Sequence, residues 1–348
     1  MSAVARILVV GDMHFADRSR AILPKLEKRI LKHTAELKPD VVVYLGDNFD
    51  RFGNTTHVMS KQIISFFAKA SELGPIKIIV GNHDIPNKND FMSDSHGYTG
   101  LKHYWNNTTV VDTVCHQFEV NGLVFQALPY CANGRFLEGL ETLEARDPNP
   151  IAIFCHQEFM GADLDGMRST TGDEWAVEGN AQTFIISGHI HKRQMLGKIG
   201  GPRVYYPGSP YQDKVDEYYS EPDDKGISLI TFHCDRSWEE QRIPLYLPVK
   251  QKLTLTAKKF KKWKLEENHI YYVTICGTTT ENAKHRGCKK VRAIESAGGK
   301  VTFSNTGTTI DTSVKSPIKE QQSLEKDMMG RIEDKPYLHD IHKDIFKT

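Results

Sequence analysis

The sequence has no cysteine pair at a spacing typical of metal sites or disulfides. Its six cysteines are scattered over 348 residues, and none forms a Cys-x-x-Cys pair. Such a distribution favours reduced thiols and excludes neither burial nor catalysis, but it argues against a disulfide framework or a zinc–thiolate site. We therefore expect a protein of a reducing compartment.

Long apolar runs are also missing. No stretch approaches the ~20 apolar residues that cross a bilayer, and residues 1–6 lead without a signal-like segment into the apolar run Ile7-Leu8-Val9-Val10. The expectation is a cytoplasmic protein without membrane association, located in the host cytoplasm if the chain is phage-encoded.

An excess of charge of one sign is absent as well. Lys and Arg number 45 against 44 Asp and Glu, so the formal net charge is +1. Nucleic-acid-binding domains usually carry a clear positive excess. Any binding of nucleic acid must therefore come from local patches, and the near-neutral charge mildly favours a protein that does not act on nucleic acid.

Polar side chains follow five short apolar segments at the point where each segment ends. The segments have the composition of buried strands. Because open α/β sheets bind ligands at the carboxyl ends of their strands, we expect these side chains to converge. The five sequences are Asp12-Met13-His14, Asp47-Asn48-Phe49-Asp50, Asn82-His83-Asp84, His156-Gln157 and His189-Ile190-His191.

Each motif also has an ordinary interpretation when it is taken alone. Asp12 could cap a helix, and Asp47 could belong to an acidic capping turn. A lone histidine such as His156 is more often a satisfied core residue than a ligand. The repetition after successive strands favours ligands, and alternate residues of extended chain point the same way, so that a pair such as His189 and His191 can meet on one ion.

The predicted ligand set is divided between two divalent metal ions. Mixed nitrogen and oxygen donors without thiolate favour manganese, iron or zinc over magnesium or calcium. Two such ions can promote in-line attack of water on a phosphoester. One ion would take Asp12, His14, His191 and the shared Asp47, and the other would take Asp47, Asn82, His156 and His189.

Further residues are predicted to act on the substrate. His83 is the candidate acid for the departing oxygen, with Asp50 placed to orient and charge-stabilise its imidazole. Lys192 and Arg193, beside the His-x-His pair, suit phosphate contacts. The turn at residues 207–210 would bring Ser209 near the metals.

The spacing of apolar residues predicts three regions. Residues 1–240 are predicted to form βαβ units followed by a second sheet, with helices over 21–37, 57–73 and 135–146. Residues 250–304 read as an α+β module with a helix over 281–297. Its lysine-rich segment 258–264, which includes Lys261 and Lys262, could bind DNA or be a solvated helix face. Residues 305–348 read as a linker and an amphipathic helical tail.

The motifs DMH, GDNFDR, GNHD, CHQ and GHIH, in this order within residues 7–232, resemble the calcineurin-like metallophosphoesterase superfamily. GDNFD, GHIHKRQ, YYPGSP followed by KGI, and the module after the core are similar to SbcD-type DNA repair nucleases and phage recombination endonucleases. Asp50 follows the bacterial and phage pattern, whereas archaeal and eukaryotic relatives carry histidine there.

This resemblance implies a four-layer α/β/β/α sandwich with a small C-terminal α+β cap domain over residues 250–304. It implies the same metal ligands, His83 as the catalytic histidine, and manganese-dependent exonuclease and endonuclease activity on DNA. It also implies a nuclease homodimer in complex with an SbcC-like coiled-coil ATPase, for which residues 305–348 are the candidate binding segment. The chain is short for cellular members, and its final segment aligns with none of them.

Two other functions remain open at this point. The same metal site would serve a stand-alone phosphatase or phosphodiesterase that acts on small molecules or phosphoproteins. The third hypothesis is a non-catalytic scaffold protein that kept the fold. The complete ligand set argues against it.

Overall fold

The computed structural model describes residues 3–52, 55–100, 102, 104–144, 147, 149–175, 184–198, 201–217 and 225–305. The predicted helical tail and its ATPase-binding role therefore lie outside the described residues. Within them, no helix is both long and apolar enough to cross a membrane.

The first half of the chain alternates strands with helices. The helices join parallel neighbours, so the predicted βαβ connection is present. In chain order, the elements up to residue 155 are β1 (Val4–Val10), α1 (Leu23–Leu37), β2 (Val41–Tyr44), α2 (His57–Leu73), β3 (Ile76–Ile79), β4 (Thr108–Val111), β5 (His116–Val120), β6 (Leu123–Ala127), α3 (Phe136–Glu141) and β7 (Ala152–Cys155).

The second half is mainly strands, with short helices only near its end. Its elements are β8 (Asp163–Leu164), β9 (Met167–Arg168), β10 (Phe184–Ser187), β11 (Gln194–Gly197), β12 (Arg203–Tyr206), β13 (Gly226–His233), β14 (Trp238–Pro244), β15 (Val249–Thr256), α4 (Ala257–Lys262), β16 (His269–Gly277), α5 (Thr279–His285), α6 (Lys289–Ser296) and β17 (Lys300–Asn305).

Two six-stranded sheets dominate the structure. The first has the order β14-β13-β1-β2-β3-β4, and the second has the order β11-β12-β10-β7-β6-β5. Strands β1 to β4 are mutually parallel, as are β6, β7, β10 and β12. Antiparallel strands flank the parallel ones, with β13 and β14 on one side of the first sheet and β11 and β5 at the two edges of the second. The parallel strand β4 forms the other edge of the first sheet. The carboxyl ends of the parallel strands thus share one edge in each sheet.

Successive side chains of a strand point to opposite faces of the sheet, so the hydrophobic core is divided into layers. On β1, Leu8 and Val10 pack with the apolar faces of α1 and α2, whereas Ile7 and Val9 pack with residues of the second sheet such as Phe154. A third cluster covers the outer face of the second sheet and includes Phe136 of α3. Because strands buried on both faces need an apolar partner on each side, the chain forms the predicted α/β/β/α sandwich.

Contact density separates the chain into two compact units. The first comprises most residues up to Leu253, together with Lys264–Val273 and Arg292–Val301. The second comprises Thr254–Trp263, Thr274–Val291 and the described residues 302–305. Strands β15, β16 and β17 form a three-stranded sheet in this order.

The predicted bounds of two helices were wrong. The helix expected over 281–297 is two helices, α5 and α6, because Gly287 takes a φ of +68°, which lies outside the helical region. Helix α3 ends at Glu141 instead of continuing to residue 146. The hydroxyl of Thr142 donates to the carbonyl of Gly139 and accepts from the amide of Cys115, which fixes this end.

Asp112, at the end of β4, gives the fold a testable pH dependence. Burial would raise its pKa, but hydrogen bonds from His96 and Lys102 lower the pKa from 3.8 to about 2. A carboxyl whose folded pKa lies below its unfolded pKa stabilises the fold above the unfolded value, and this stabilisation is lost as the pH falls toward the folded value. Asp112 therefore contributes at pH 5 and not at pH 2.

We expect Asp112→Asn to lower the free energy of unfolding by about 1 to 2 kcal/mol at pH 5. The difference from wild type should shrink toward zero as the pH approaches 2. Urea titrations at several pH values measure it, with Asp165→Asn on the exposed β8–β9 turn as the control. A difference that does not change with pH would contradict the assignment.

Candidate active site

Five loops meet where the strands of the two sheets end. The loops after β1, β2 and β3 come from the first sheet, and the loops after β7 and β10 come from the second. The amide of His189 donates to Asp12 Oδ1 at 2.8 Å, and His156 Nδ1 donates to the carbonyl of Leu45 at 2.7 Å. These bonds join one sheet to the other, so the predicted ligands of both sheets share one site.

The first group of candidate ligands contains Asp12, His14 and His191. One donor atom of each lies within 4.8 Å of the others. The Nε2 atoms of His14 and His191 are 2.9 Å apart. The three residues therefore present one carboxylate and two imidazoles to a common point.

The second group contains Asp47, His156 and His189, again with donor atoms within 4.8 Å of one another. The amide oxygen of Asn82 lies between the two imidazoles, 3.0 Å from His156 Nε2 and 2.9 Å from His189 Nδ1. Asn82 thus joins this group as predicted.

Asp47 lies between the two groups. Its Oδ1 is 3.3 Å from His156 Nε2, and its Oδ2 is 3.9 Å from His14 Nε2. Each carboxylate oxygen consequently faces a different group. This is the arrangement that a carboxylate shared by two cations requires.

The residues fit a pair of divalent cations. Asp12 Oδ2 is buried and has no hydrogen-bond partner among the described residues. Buried carboxylate oxygens are rarely left without a partner, and a cation would satisfy this one. The donors are oxygen and imidazole nitrogen without thiolate, a set that suits divalent ions of intermediate hardness.

The ionisation of Asp47 and His14 agrees with cation binding, whereas two other imidazoles must lose a proton when a cation binds. Burial would raise the pKa of Asp47, but the neighbouring His156 and other imidazoles hold it well below its usual range. Burial, together with the nearby His191, lowers the pKa of His14. Burial would lower the pKa of His156, but Asp47 raises it to about 9. Burial would also lower the pKa of His191, but Glu217 raises it. An anionic carboxylate and a neutral imidazole are the ligand forms that a metal needs.

Three of the candidate ligands have left-handed backbone. The φ angles are +38° at His14, +48° at Asp47 and +79° at His189. Such conformations cost of order 1–3 kcal/mol for a residue with a side chain and cluster at functional sites. The first sheet and the second sheet both contribute strained positions, so the ligand loops are shaped for the site at a cost in stability.

Gly81 allows the loops after β2 and β3 to approach closely. A Cβ atom added at Gly81 would lie 2.3 Å from the amide nitrogen of Asp47 and 2.3 Å from its Oδ1.

We expect Gly81→Ala to displace Asp47 and to lower phosphoesterase turnover by about a hundredfold, since misplacement by 1 Å can cost that much. Gly100→Ala, with open space around the added carbon, is the control in the same kinetic assay, and equal activity of the two variants would contradict this expectation.

His83 is oriented by Asp50, but not through the carboxylate as predicted. His83 Nδ1 is 2.6 Å from the main-chain carbonyl of Asp50. The Asp50 carboxylate instead accepts hydrogen bonds from the guanidinium of Arg18. Because a carbonyl only accepts, His83 Nδ1 carries the proton, and its Nε2 faces the site, 4.0 Å from Asp47 Oδ2. The ring of Phe52 stacks on the imidazole with centroids 4.5 Å apart.

The predicted phosphate contacts take different positions. Lys192 lines the cavity of about 420 Å³ in front of the ligands and forms an ion pair with Asp163 at 2.6 Å. Arg193 points to Glu240, at 2.6 Å, and to the hydroxyl of Tyr205. Lys192 and Arg193, although adjacent in the sequence, are therefore held in different directions by acidic partners in different parts of the fold.

Ser209 is fully buried and supports the site from behind. Its hydroxyl donates to the carbonyl of Tyr211 at 3.0 Å and accepts from Lys225 at 2.7 Å. Lys261 and Lys262 are exposed on α4 in the second unit. Of the five predicted substrate contacts, Lys192 is therefore the one that lines this cavity.

Several charged residues around the site were not predicted. Asp84 accepts the amides of Phe49 and Gly81 and so ties two ligand loops together. Glu217 contacts His191 Nδ1 at 2.7 Å. Burial would raise the pKa of Glu217, but the hydrogen bond with His191 and the charge of Lys225 lower it to about 2. In the sequence, Asp84 stands in the polar cluster Asn82-His83-Asp84, and Glu217 lies close to Asp213 and Asp216 in a polar stretch, but neither pattern indicates which residue the carboxylate contacts.

Comparison with known proteins shows similarity to phosphoesterases. A family model described as "Calcineurin-like phosphoesterase" matches residues 5–193. The chain is 33% identical over 208 residues to "Putative phosphoesterase 078R" of Invertebrate iridescent virus 3, covering 59% of this chain and 57% of that protein. It is 31% identical over 230 residues to "Putative phosphoesterase 244L" of Invertebrate iridescent virus 6, covering 66% of this chain and 76% of that protein.

A more distant similarity involves an archaeal protein. The "DNA double-strand break repair protein Mre11" of Methanopyrus kandleri is 24% identical over 223 residues, covering 59% of this chain. The chain spans only about half the length of these two relatives: the match covers 48% of the Mre11 protein and 57% of the 078R protein.

Proposed function

The chain belongs to the calcineurin-like phosphoesterase family, and from this premise we propose that it is a metal-dependent DNA nuclease. The position of Asp47 carries the proposal, because its two oxygens face two separate groups of ligands. A phosphodiester hydrolase of the two-metal type needs one carboxylate in that place.

The residues divide the chemistry between them. Two divalent ions, when bound by the two ligand groups, would neutralise the phosphoryl oxygens and lower the pKa of the attacking water. His83 presents Nε2 to the site while Asp50 holds Nδ1. In its protonated form, this imidazole would donate a proton to the departing oxygen.

Three observations support DNA as the substrate. The similarity to the archaeal Mre11 protein covers 223 residues, and the GDNFD and GHIHKRQ motifs resemble the SbcD-type nucleases. The exposed lysines of α4, which include Lys261 and Lys262, suit phosphate contacts. The mixed imidazole and carboxylate donors suit manganese, iron or zinc, and manganese is the proposed metal because the resemblance to SbcD-type nucleases implies it. A homodimer and an SbcC-like ATPase partner are proposed from the sequence resemblance alone.

One observation favours a stand-alone phosphatase or phosphodiesterase as the second candidate. Besides the predicted metal ligands and Asp50, five acidic residues line the cavity, against two lysines, Lys192 and Lys214. Basic partners offset part of this negative charge, and the remainder disfavours a polyanion more than a small phosphoester. The five acidic residues are Asp163, Asp165, Asp213, Asp216 and Glu217.

One assay distinguishes the nuclease from the stand-alone phosphatase or phosphodiesterase. The full chain is incubated with Mn²⁺ and either linear duplex DNA, single-stranded DNA, or the aryl esters p-nitrophenyl phosphate and bis-p-nitrophenyl phosphate. The nuclease predicts DNA cleavage that chelation stops, that Mn²⁺ restores and that Asp47→Asn lacks. Hydrolysis of the aryl esters with intact DNA would overturn the nuclease and support the phosphatase.

A further inference from the structure

Glu217 lies directly behind one of the candidate metal ligands. Its Oε1 accepts a hydrogen bond from His191 Nδ1 at 2.7 Å. The opposite nitrogen of this imidazole, Nε2, faces His14 Nε2 at 2.9 Å. The contact with Glu217 therefore selects the tautomer whose free nitrogen points into the site.

The carboxylate of Glu217 is itself held on several sides. The amide of Asp213 donates to Oε2 at 2.7 Å, and Lys225 Nζ lies 3.2 Å from Oε1. The same ammonium group donates to the carbonyl of His191 at 3.0 Å and to Ser209 Oγ at 2.7 Å. The Glu217 side chain is 4% exposed, so these contacts fix it in a place that water barely reaches.

Among the described residues, the other predicted ligand histidines have no carboxylate partner as close. His156 donates from Nδ1 to the main-chain carbonyl of Leu45. His189 Nε2 forms an ion pair with Glu158 Oε2 at 3.6 Å, longer than the 2.7 Å between His191 and Glu217. His14 Nδ1 is buried without a hydrogen-bond partner among the described residues. Within that part of the chain, His191 is thus the ligand histidine backed by a hydrogen-bonded carboxylate.

We propose that Glu217 is a positioning residue that strengthens cation binding by the Asp12–His14–His191 group and leaves the Asp47–His156–His189 group unaffected. A carboxylate behind a ligating histidine fixes its ring and raises its basicity. The proposal rests on the two-metal site of the proposed function. It adds that the two ion positions differ in affinity and that Glu217 sets part of the difference.

The experiment measures metal binding and not turnover. Mn²⁺ is titrated into the metal-free full chain, and free Mn²⁺ is followed by electron paramagnetic resonance. In Glu217→Gln, one of two Mn²⁺ sites should weaken by about 10- to 100-fold, while the other keeps its affinity. The matched control is Glu240→Gln, because Glu240 has a 12% exposed side chain and contacts Arg193 but none of the ligands.

The outcomes separate this inference from the proposed function. Two Mn²⁺ sites that Glu217→Gln leaves unchanged would overturn the role of Glu217 alone. Equal weakening of both sites in a variant that keeps its thermal unfolding transition would overturn the selectivity for one group. A wild-type chain that binds no Mn²⁺ would overturn the two-metal function and this inference together.

A measurement on the wild-type protein covers the case in which Glu217→Gln does not fold. With ¹⁵N-labelled histidine and Zn²⁺, nuclear magnetic resonance reports which nitrogen of His191 carries the proton. A proton on Nδ1 is the expected result, and a proton on Nε2 would overturn the proposal.

Discussion

Replacing Asp47 with asparagine is expected to lower turnover by about a thousandfold or more, which corresponds to roughly 4 kcal/mol of transition-state stabilisation. Asparagine preserves the size of the side chain and can still accept the amide hydrogen of His83, which donates to Asp47 Oδ1 at 2.8 Å. It removes the charge that both ligand groups share. The loss should therefore arise from metal binding and not from unfolding.

The measurement combines steady-state kinetics with metal content. Asp47→Asn should retain fewer bound Mn²⁺ ions than wild type after dialysis, and its thermal unfolding in chelator should be close to that of the wild-type protein. Asp17→Asn is the control, since Asp17 has a 54% exposed side chain and pairs with Arg20 alone among the described residues. Full activity in Asp47→Asn would contradict the shared-carboxylate role.

The second large effect is expected at His83. In His83→Gln, turnover should fall by about 10²- to 10⁴-fold for an alkyl ester such as DNA, because such a leaving group needs a proton. An aryl ester such as bis-p-nitrophenyl phosphate leaves readily as an anion, so its hydrolysis should fall much less. Bound Mn²⁺ should stay at the wild-type level if His83 acts on the leaving group alone.

The dependence on the leaving group distinguishes an acid from a ligand. His57→Gln is the matched control, because His57 is exposed at the start of α2. Equal losses for the DNA and the aryl ester, accompanied by loss of Mn²⁺, would mean that His83 holds a metal. That outcome has a structural basis, since His14, Asp47 and His83 also form a compact group.

The sequence predicted the parts of the site that depend on strand ends. Asp12, Asp47 and His156 each follow an apolar run closely, and a buried parallel strand delivers the next residues to the carboxyl edge of its sheet. Local pattern and sheet topology therefore agree at these positions. The sandwich itself was predictable for the same reason, because its strands and major helices have clear periodicity.

The parts that the sequence did not predict depend on contacts between distant loops. Asp50 is the expected partner of His83, but whether it acts through its carbonyl or its carboxylate depends on Arg18, more than thirty residues away. The direction of Arg193 depends on Glu240 in another strand. The contact of Glu217 with His191 is visible only once the structure places the Glu217 loop behind that histidine. No short-range pattern encodes these pairings.

The sharing of ligands between the two sheets has a consequence for assembly of the protein. Asp12 and His14 follow a strand of the first sheet, whereas His191 follows a strand of the second. Neither half of the sandwich presents the Asp12–His14–His191 group or the Asp47–His156–His189 group by itself. Either group is therefore complete only after both halves have come together, and a cation bound by it would slow their separation.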